Sequence, residues 1–403
     1  MNRNNKEQEY ILFTSTNFPE GGASASYLNL FCKGLVVKAP VVKVFMAKGY
    51  AFRNNSKKIF RKNITPEGVA YTYMGLTNRP KNGFLKLADD FLSICFLLFV
   101  LPSIVWKRRK TTILVYHLGL LHSLLIYSTA FFCKTRIITI VPEYFNKLDF
   151  ISLVSKFNWF SFIFTFDHLN PLSDRLIVFS NFLKDIYLKR GFSEERIYVQ
   201  PNLTDFKFWD TPPVKEKYIL GYSGTPGKKD GLIDLFQAIK LLKDEIPVSL
   251  VVVGDTTFGN SFIPDLEIIC VQLGIRDLVH FTGLVESNEV KDYLSQCKIL
   301  AITRPRTVQT QAGFPTKLGE YMALKKPVLA TGFGEVEAFF TDGKDLVIAK
   351  CDNPESIAEK IKWMLNNEDS INTMAANGCK TAFELLEYNS SMEKISSYLN
   401  RSI

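Results

Sequence analysis

Strand-length apolar runs that alternate with helix-length stretches constrain this chain more than any other feature. Ile11 to Thr14 opens the series, followed by Val41 to Ala47, Ile113 to Tyr116, Arg136 to Val141, Arg175 to Ser180 and Ile197 to Gln200. Short runs that are apolar throughout belong to strands covered on both faces. Repetition of strand and helix in this manner predicts a parallel sheet between two helical layers. At Asp210-Thr-Pro-Pro-Val-Lys-Glu216 the composition turns polar and proline-bearing, which reads as a linker. A second series follows: Tyr218 to Tyr222, Val248 to Val253, Val279 to Phe281, Ile299 to Thr303, Val328 to Ala330 and Leu346 to Ile348. The tail from Pro354 to Ile403 is helical by period. At 403 residues the chain accommodates two domains of ordinary size. The expected fold is α/β, with two Rossmann-like domains whose ligand lies at the carboxyl ends of the strands.

Composition narrows the chemistry. Seven cysteines are scattered without a paired C-x-x-C spacing, and only four histidines are present, so disulfides and structural zinc are not expected. Lys and Arg number 49 against 40 Asp and Glu, a net charge of +9, which favours anionic partners. No nucleic-acid motif and no basic run interleaved with stacking aromatics is present, so nucleic acid is not among the expected partners. The polar start MNRNNKEQEY does not read as a cleavable signal peptide.

Four places bring together residues suited to an anionic ligand. After the first strand, Asn17 to Ser24 forms a glycine loop containing Gly21 and Gly22, before a helix expected near Ala25. In the second half, Gly221 to Gly231 lies between a strand and the helix Leu232 to Leu242; its glycines permit close backbone approach, and Lys228 or Lys229 can face a diphosphate or simply decorate a basic turn. Arg304 follows directly on the strand Ile299 to Thr303 and suits bidentate phosphate binding, or a plain surface role. The segment GFPTKLGEYMALKKPVLAT, Gly313 to Thr331, predicts a helix starting near Thr316 or Lys317, with Thr316 able to cap it. A helix start attracts anions, Lys317 adds a full charge there, and Glu320 one turn on can accept from a pair of sugar hydroxyls; both side chains being merely solvated is the alternative. In the first half, His117 and Glu143 each end a strand.

The Gly313–Thr331 string resembles the signature region of retaining nucleotide-sugar glycosyltransferases of glycosyltransferase family 4, in the subset with a Pro-Thr-Lys-Leu-x-Glu-Tyr core. The resemblance implies the GT-B architecture: two Rossmann-like domains with parallel sheets facing a cleft, residues 1–208 for the acceptor and 215–385 for the donor, with 386–403 crossing back onto the first. It also implies roles. Many members carry two glutamates eight positions apart; Glu320 matches the second, which holds the ribose, while Ala312 stands in place of the first, leaving Gln311 or Gln309 as neutral replacements. Gly22 falls on the loop near donor phosphate and acceptor. Gly224 or Ser223 occupies the place where an arginine is common, so Lys229 and Arg304 become the expected cations on the leaving diphosphate. Gly283 falls where relatives present backbone to the nucleobase, Thr316, Lys317 and Leu318 form the phosphate-binding helix start, and Glu337 matches a commonly acidic position. Glu143 sits where many relatives have a histidine beside the reacting sugar, and with His117, Lys229 and Arg304 it completes the expected catalytic set. The implied activity is transfer of a hexose-type sugar, with retention, from a nucleoside diphosphate sugar to a glycan or lipid-linked glycan in bacterial surface polysaccharide synthesis. Neither a metal nor a cofactor beyond that donor is implied. Two alternatives share the fold: a sugar-nucleotide epimerase or hydrolase, and a membrane-associated binding protein without turnover, the latter motivated by Ala312.

Two further stretches bear on location. Phe91 to Trp106 is uncharged and precedes Lys107-Arg-Arg-Lys110, and Thr111 to Cys133 is also uncharged. The first run falls short of a bilayer span and the second holds a strand pattern and two histidines, so buried sheet plus an interfacial helix is expected, with a transmembrane hairpin as the alternative. Phe150 to Phe166 holds more aromatics than one core-facing stripe needs. With the basic cluster, it suggests a cytoplasmic protein resting peripherally on the anionic inner face of the cell membrane; a buried helix and satellite core is the alternative.

Overall fold

The computed structural model describes residues 8–39, 41–50, 61–106, 111–147, 150, 152–256 and 259–400; the Lys107–Lys110 cluster lies outside them. The chain divides into two compact units, Met1–Pro201 with Tyr388–Ile403, and Asn202–Glu387. The first carries strands β1 (Glu9–Thr14), β2 (Val41–Met46), β3 (Lys62–Ile64), β4 (Ala70–Tyr73), β5 (Thr111–Tyr116), β6 (Arg136–Val141), β7 (Arg175–Val178) and β8 (Ile197–Val199) in the order β3-β4-β2-β1-β5-β6-β7-β8. All neighbours are parallel except β3 on β4. Every residue of β1 and of β5 is buried, as a strand covered on both faces requires. β3 and β4 had no apolar run to announce them: β3 is Lys-Asn-Ile and exposed throughout.

Helix Tyr388–Asn400 belongs to this unit and packs on Ala23–Val36, which realises the expected return of the chain end. The close approach depends on Gly34, because a Cβ there would lie 2.4 Å from Met392 Cγ.

The second unit carries β9 (Tyr218–Ser223), β10 (Leu250–Val253), β11 (Val279–Gly283), β12 (Cys297–Ile302), β13 (Val328–Thr331) and β14 (Val347–Ala349), all parallel, in the order β11-β10-β9-β12-β13-β14. Side chains alternate between two cores, Leu250 and Val252 facing one, Val251 and Val253 the other. From β9 the chain first builds outward through β10 to β11, then crosses to β12 on the opposite side. The β9/β12 boundary is therefore the topological switch point, where the loops leaving the sheet diverge and leave room for a ligand.

Candidate functional site

Charge is concentrated at that switch point. The loop after β9 ends in a short turn, Lys228–Asp230, that buries Asp230 while leaving Lys228 and Lys229 exposed. Gly231 follows at φ 64°, and a Cβ on it would lie 1.8 Å from the Thr303 carbonyl oxygen, so no side chain is compatible with the closeness of this loop to the end of β12. Thr303 Oγ donates to the Gly231 carbonyl at 2.9 Å, and Thr331 Oγ at the end of β13 donates to the Arg304 carbonyl at 2.6 Å. Three strand ends are thereby tied together, and Arg304 leaves the middle one.

The helix expected from Gly313–Thr331 runs over Thr316–Ala323. Pro315, not Thr316, precedes its first turn, and no side chain caps it; the Thr316 hydroxyl instead accepts from Asn202 Nδ2. Tyr321 fastens the helix to β9, its hydroxyl accepting the Ser223 backbone N–H at 2.7 Å. Lys317 is only 8% exposed, an unfavourable place for a cation at a helix start unless an anion answers it. Asp230 is that anion. One of its oxygens accepts from Lys317 Nζ at 3.0 Å and from Arg304 Nε at 3.0 Å, leaving the trio with one net positive charge. The ammonium also lies over the Tyr222 ring, 4.0 Å from its centroid, and the Arg304 guanidinium lies 5.8 Å from that of Phe333. Gly224, at φ 122°, has its Cβ position 3.2 Å from Lys317 Nζ, so the loop passes close by the cation with no side chain between.

Titration follows from this packing. Burial pulls Lys317 down most, Asp230 restores part of the loss and Arg304 opposes it, leaving a pKa of about 8. For Asp230 burial acts upward, but Lys317 and Arg304 together outweigh it and hold the carboxyl well below the usual range. Glu320, on the same side of the helix as Lys317, retains partial solvent access; even so, loss of water around its carboxyl raises its pKa to about 7 against the opposing pull of Lys317.

The remaining expected residues fall as follows. Leu318 is fully buried in the core, and its backbone N–H donates to the Pro315 carbonyl at 3.1 Å. Gly283 ends β11 at φ 71° and bridges to Gly254 beyond β10. Ala312 ends the short helix Val308–Ala312 and is fully buried, whereas Gln309 and Gln311 keep partial solvent access. Glu337 pairs with Arg306 at 3.2 Å.

In the first unit the corresponding switch point is between β1 and β5. Gly22 precedes helix Ala23–Val36 and its carbonyl accepts from Ala25 and Ser26. His117 adopts φ 45° just after β5, and its Nε2 lies 3.2 Å from Glu143 Oε1 beyond β6, so two residues singled out separately form a pair. Sequence reasoning missed Asp230 and Tyr222. The Lys-Lys-Asp-Gly string contained the acid, but nothing local reveals that a carboxylate beside two lysines answers cations at 304 and 317.

The glycosyl transferases group 1 family matches residues 204–381. The uncharacterized glycosyltransferase MJ1178 of Methanocaldococcus jannaschii is 24% identical over 223 residues, covering 53% of this chain and 56% of that protein, so the chain spans little more than half the length of that curated relative. Among solved structures, Anabaena Alr3699/HepE in complex with UDP and glucose has a TM-score of 0.73 at 16% identity, covering 98% of this chain and 100% of that one. Sucrose-phosphate synthase from Thermosynechococcus elongatus has a TM-score of 0.74 at 15% identity, covering 97% and 98%. At such identities the structures speak to fold alone. The chain has the GT-B glycosyltransferase fold, and its residues 204–381 are a glycosyl transferases group 1 domain.

Proposed function

We propose that this protein transfers a sugar, with retention at the anomeric carbon, from a nucleoside diphosphate sugar to a glycan or lipid-linked glycan in bacterial surface polysaccharide synthesis, working peripherally at the inner face of the cell membrane. Residues 215–385 bind the donor and residues 1–208 with 386–403 the acceptor. The observation that carries the reading is the Asp230–Arg304–Lys317 trio at the switch point of the second sheet. A diphosphate placed there meets two oriented cations, a helix start and the exposed Lys229.

In the reaction the bond from the anomeric carbon to the diphosphate oxygen breaks, and a bond to the acceptor oxygen forms on the same face. The departing diphosphate gains negative charge, which Lys317, Arg304 and Lys229 stabilise, and its oxygen accepts the acceptor's proton. Removing one such fixed group from a transition state costs about 2.7–4 kcal/mol. Glu320 accepts from the ribose hydroxyls and Gly283 faces the base. The His117–Glu143 pair orients the acceptor hydroxyl. UDP in the HepE complex makes uridine donors the first to try.

The test is a panel of nucleotide sugars incubated with membrane lipid extract, scored for diphosphate release and glycolipid product. Turnover of one donor that depends on Lys317 supports the reading. Failure of every donor to bind, with Lys317→Ala changing nothing, ends it.

A further inference from the structure

Helix Gly83–Trp106 in the first unit is apolar on a face that stays exposed among the described residues. Phe84, Phe91 and Leu98 are spaced by seven, as are Leu85, Leu92 and Phe99, and seven residues are two turns, so these positions line one stripe. All six are exposed, Phe84 by 78% and Phe99 by 84%. The opposite face begins with polar residues turned inward: buried Asp89 accepts the Leu76 N–H at 2.6 Å and pairs with Arg79 at 2.7 Å, and buried Ser93 bonds His122 at 2.9 Å. Over its first half this helix therefore has the polarity of a soluble helix turned inside out.

Its neighbours repeat the pattern. Leu120–Cys133 packs beside it and exposes Phe131 and Phe132, while Leu153–Phe164 packs on that helix and exposes Val154 and Phe157. The fully exposed charges on the described residues of these helices are basic. The only acids in the three helices are Asp89 and Asp90, both paired with Arg79, whereas Lys86 and Lys156 are exposed, and in sequence Lys107-Arg-Arg-Lys110 follows Trp106 directly. A two-fold dimer through these helices brings Lys86 and Lys156 toward their own copies, which like charge opposes. An anionic bilayer answers both the apolar stripe and the lysines. Among the described residues no helix is long and apolar enough to cross a membrane, so the stripe lies along the surface rather than through it.

We infer that the three helices form an in-plane platform that inserts the Phe84–Phe99 stripe into the acyl boundary of an anionic lipid leaflet. The inference rests on the peripheral-membrane part of the proposed function and gives it a surface and a lipid charge. Full-length protein is floated with phosphatidylglycerol–phosphatidylcholine vesicles and with pure phosphatidylcholine vesicles. The expected result is flotation with the anionic vesicles, weakened but not abolished by salt, and reduced about tenfold in Phe84→Ser/Phe91→Ser/Phe99→Ser. Circular dichroism and the melting temperature report whether the variant is folded; if it is not, Phe99→Ser alone, at the most exposed position, serves with the same expected direction. Equal flotation of wild type and folded variant overturns the platform, as does equal binding to neutral vesicles or a stable dimer that the serine variant dissociates. UDP binding is measured on the same preparations. Failure of the wild-type protein to float with anionic vesicles while it still binds UDP sinks the platform and leaves the sugar-transfer reading standing; wild-type flotation without binding of any donor does the reverse.

Discussion

The two units share a strand order built outward from a central strand and then across it, yet they spend their apolar residues differently. In the second unit helices such as Leu232–Leu242 and Pro354–Asn366 bury their apolar stripes on the sheet, and among the described residues only Phe262 and Phe383 are phenylalanines left exposed. In the first, Phe84, Phe91, Phe99, Phe131, Phe132, Phe157 and Phe160 are exposed. The charges differ in the same sense. The second unit buries a cation pair with its own carboxylate, whereas the first leaves His117 and Glu143 each about a quarter exposed. One topology thus carries two surfaces, one with a buried cation pair around a carboxylate and one with exposed apolar helices, because the sheet dictates where loops diverge but not what the helices carry outward.

The largest effect should come from breaking the second unit's charge balance. Asp230→Ala leaves two cations without their buried counter-ion, and breaking such a group costs about 3–5 kcal/mol. Urea unfolding of the full chain measures the loss. Hydrogen exchange locates it: amides of β9 and β12 should exchange faster, while those of β1 and β5 keep wild-type protection. Equal loosening of both sheets would show that the units do not hold their stability separately.

Next in size is Lys317→Met, which keeps the buried stem and removes the charge. Donor turnover should fall about 10²–10³-fold, following the cost of one lost oxyanion-type group. His117→Ala in the first unit should lower turnover while leaving UDP affinity by calorimetry unchanged. A drop in UDP affinity for His117→Ala equal to that for Lys317→Met would erase the functional contrast between the units.

The pH dependence sharpens the same contrast. Lys317 ionises at about 8 when folded and near the ordinary lysine value of 10.5 when unfolded. Above about pH 8 the folded state gives up a proton that the unfolded chain keeps, so the Lys317 contribution to stability rises with pH between about 8 and 10.5. UDP affinity should move the opposite way over that window, because the neutral amine no longer attracts phosphate. Calorimetric titrations from pH 7 to 9.5 should show the fall, and Lys317→Met should flatten it; an unchanged slope in the variant would place the titrating group elsewhere.

How much of this was legible depended on whether the signal was local. The buried strands were readable because each, such as Ile11 to Thr14 or Val328 to Ala330, is an apolar run closed by turn residues. β3 and β4 were not, since Lys62-Asn63-Ile64 is a polar edge without pattern. Lys317 and Glu320 were legible from a helix start and a one-turn spacing. Asp230 was hidden: its meaning lies in partners 74 and 87 positions away, and only the meeting of three strand ends brings them together. The outward stripe of Gly83–Trp106 was half legible. Its apolar run suggested an interfacial helix, but the inward turn of Asp89 and Ser93 depends on Arg79 and His122, which no periodicity connects to them.

The smallest expected effect belongs to Glu320→Gln, and it tests whether the second unit reads the ribose as well as the phosphates. Glu320 ionises at about 7 when folded, above its ordinary value of 4.5. Its stabilising contribution is therefore fully present below about pH 4.5 and lost as pH rises through about 7, since the folded state binds the proton more tightly than the unfolded chain. Glutamine cannot titrate, so the variant should lose that slope in melting temperature and be relatively more stable at pH 8 than at pH 5. Binding supplies the other half. If the carboxylate holds ribose hydroxyls, UDP affinity should fall several-fold, about 1 kcal/mol since glutamine keeps one acceptor oxygen, and pyrophosphate affinity should not change. A parallel loss for UDP and pyrophosphate would instead mean that Glu320 acts by tuning Lys317, its neighbour on the same helix face, and the ribose role would pass to another residue of the second unit.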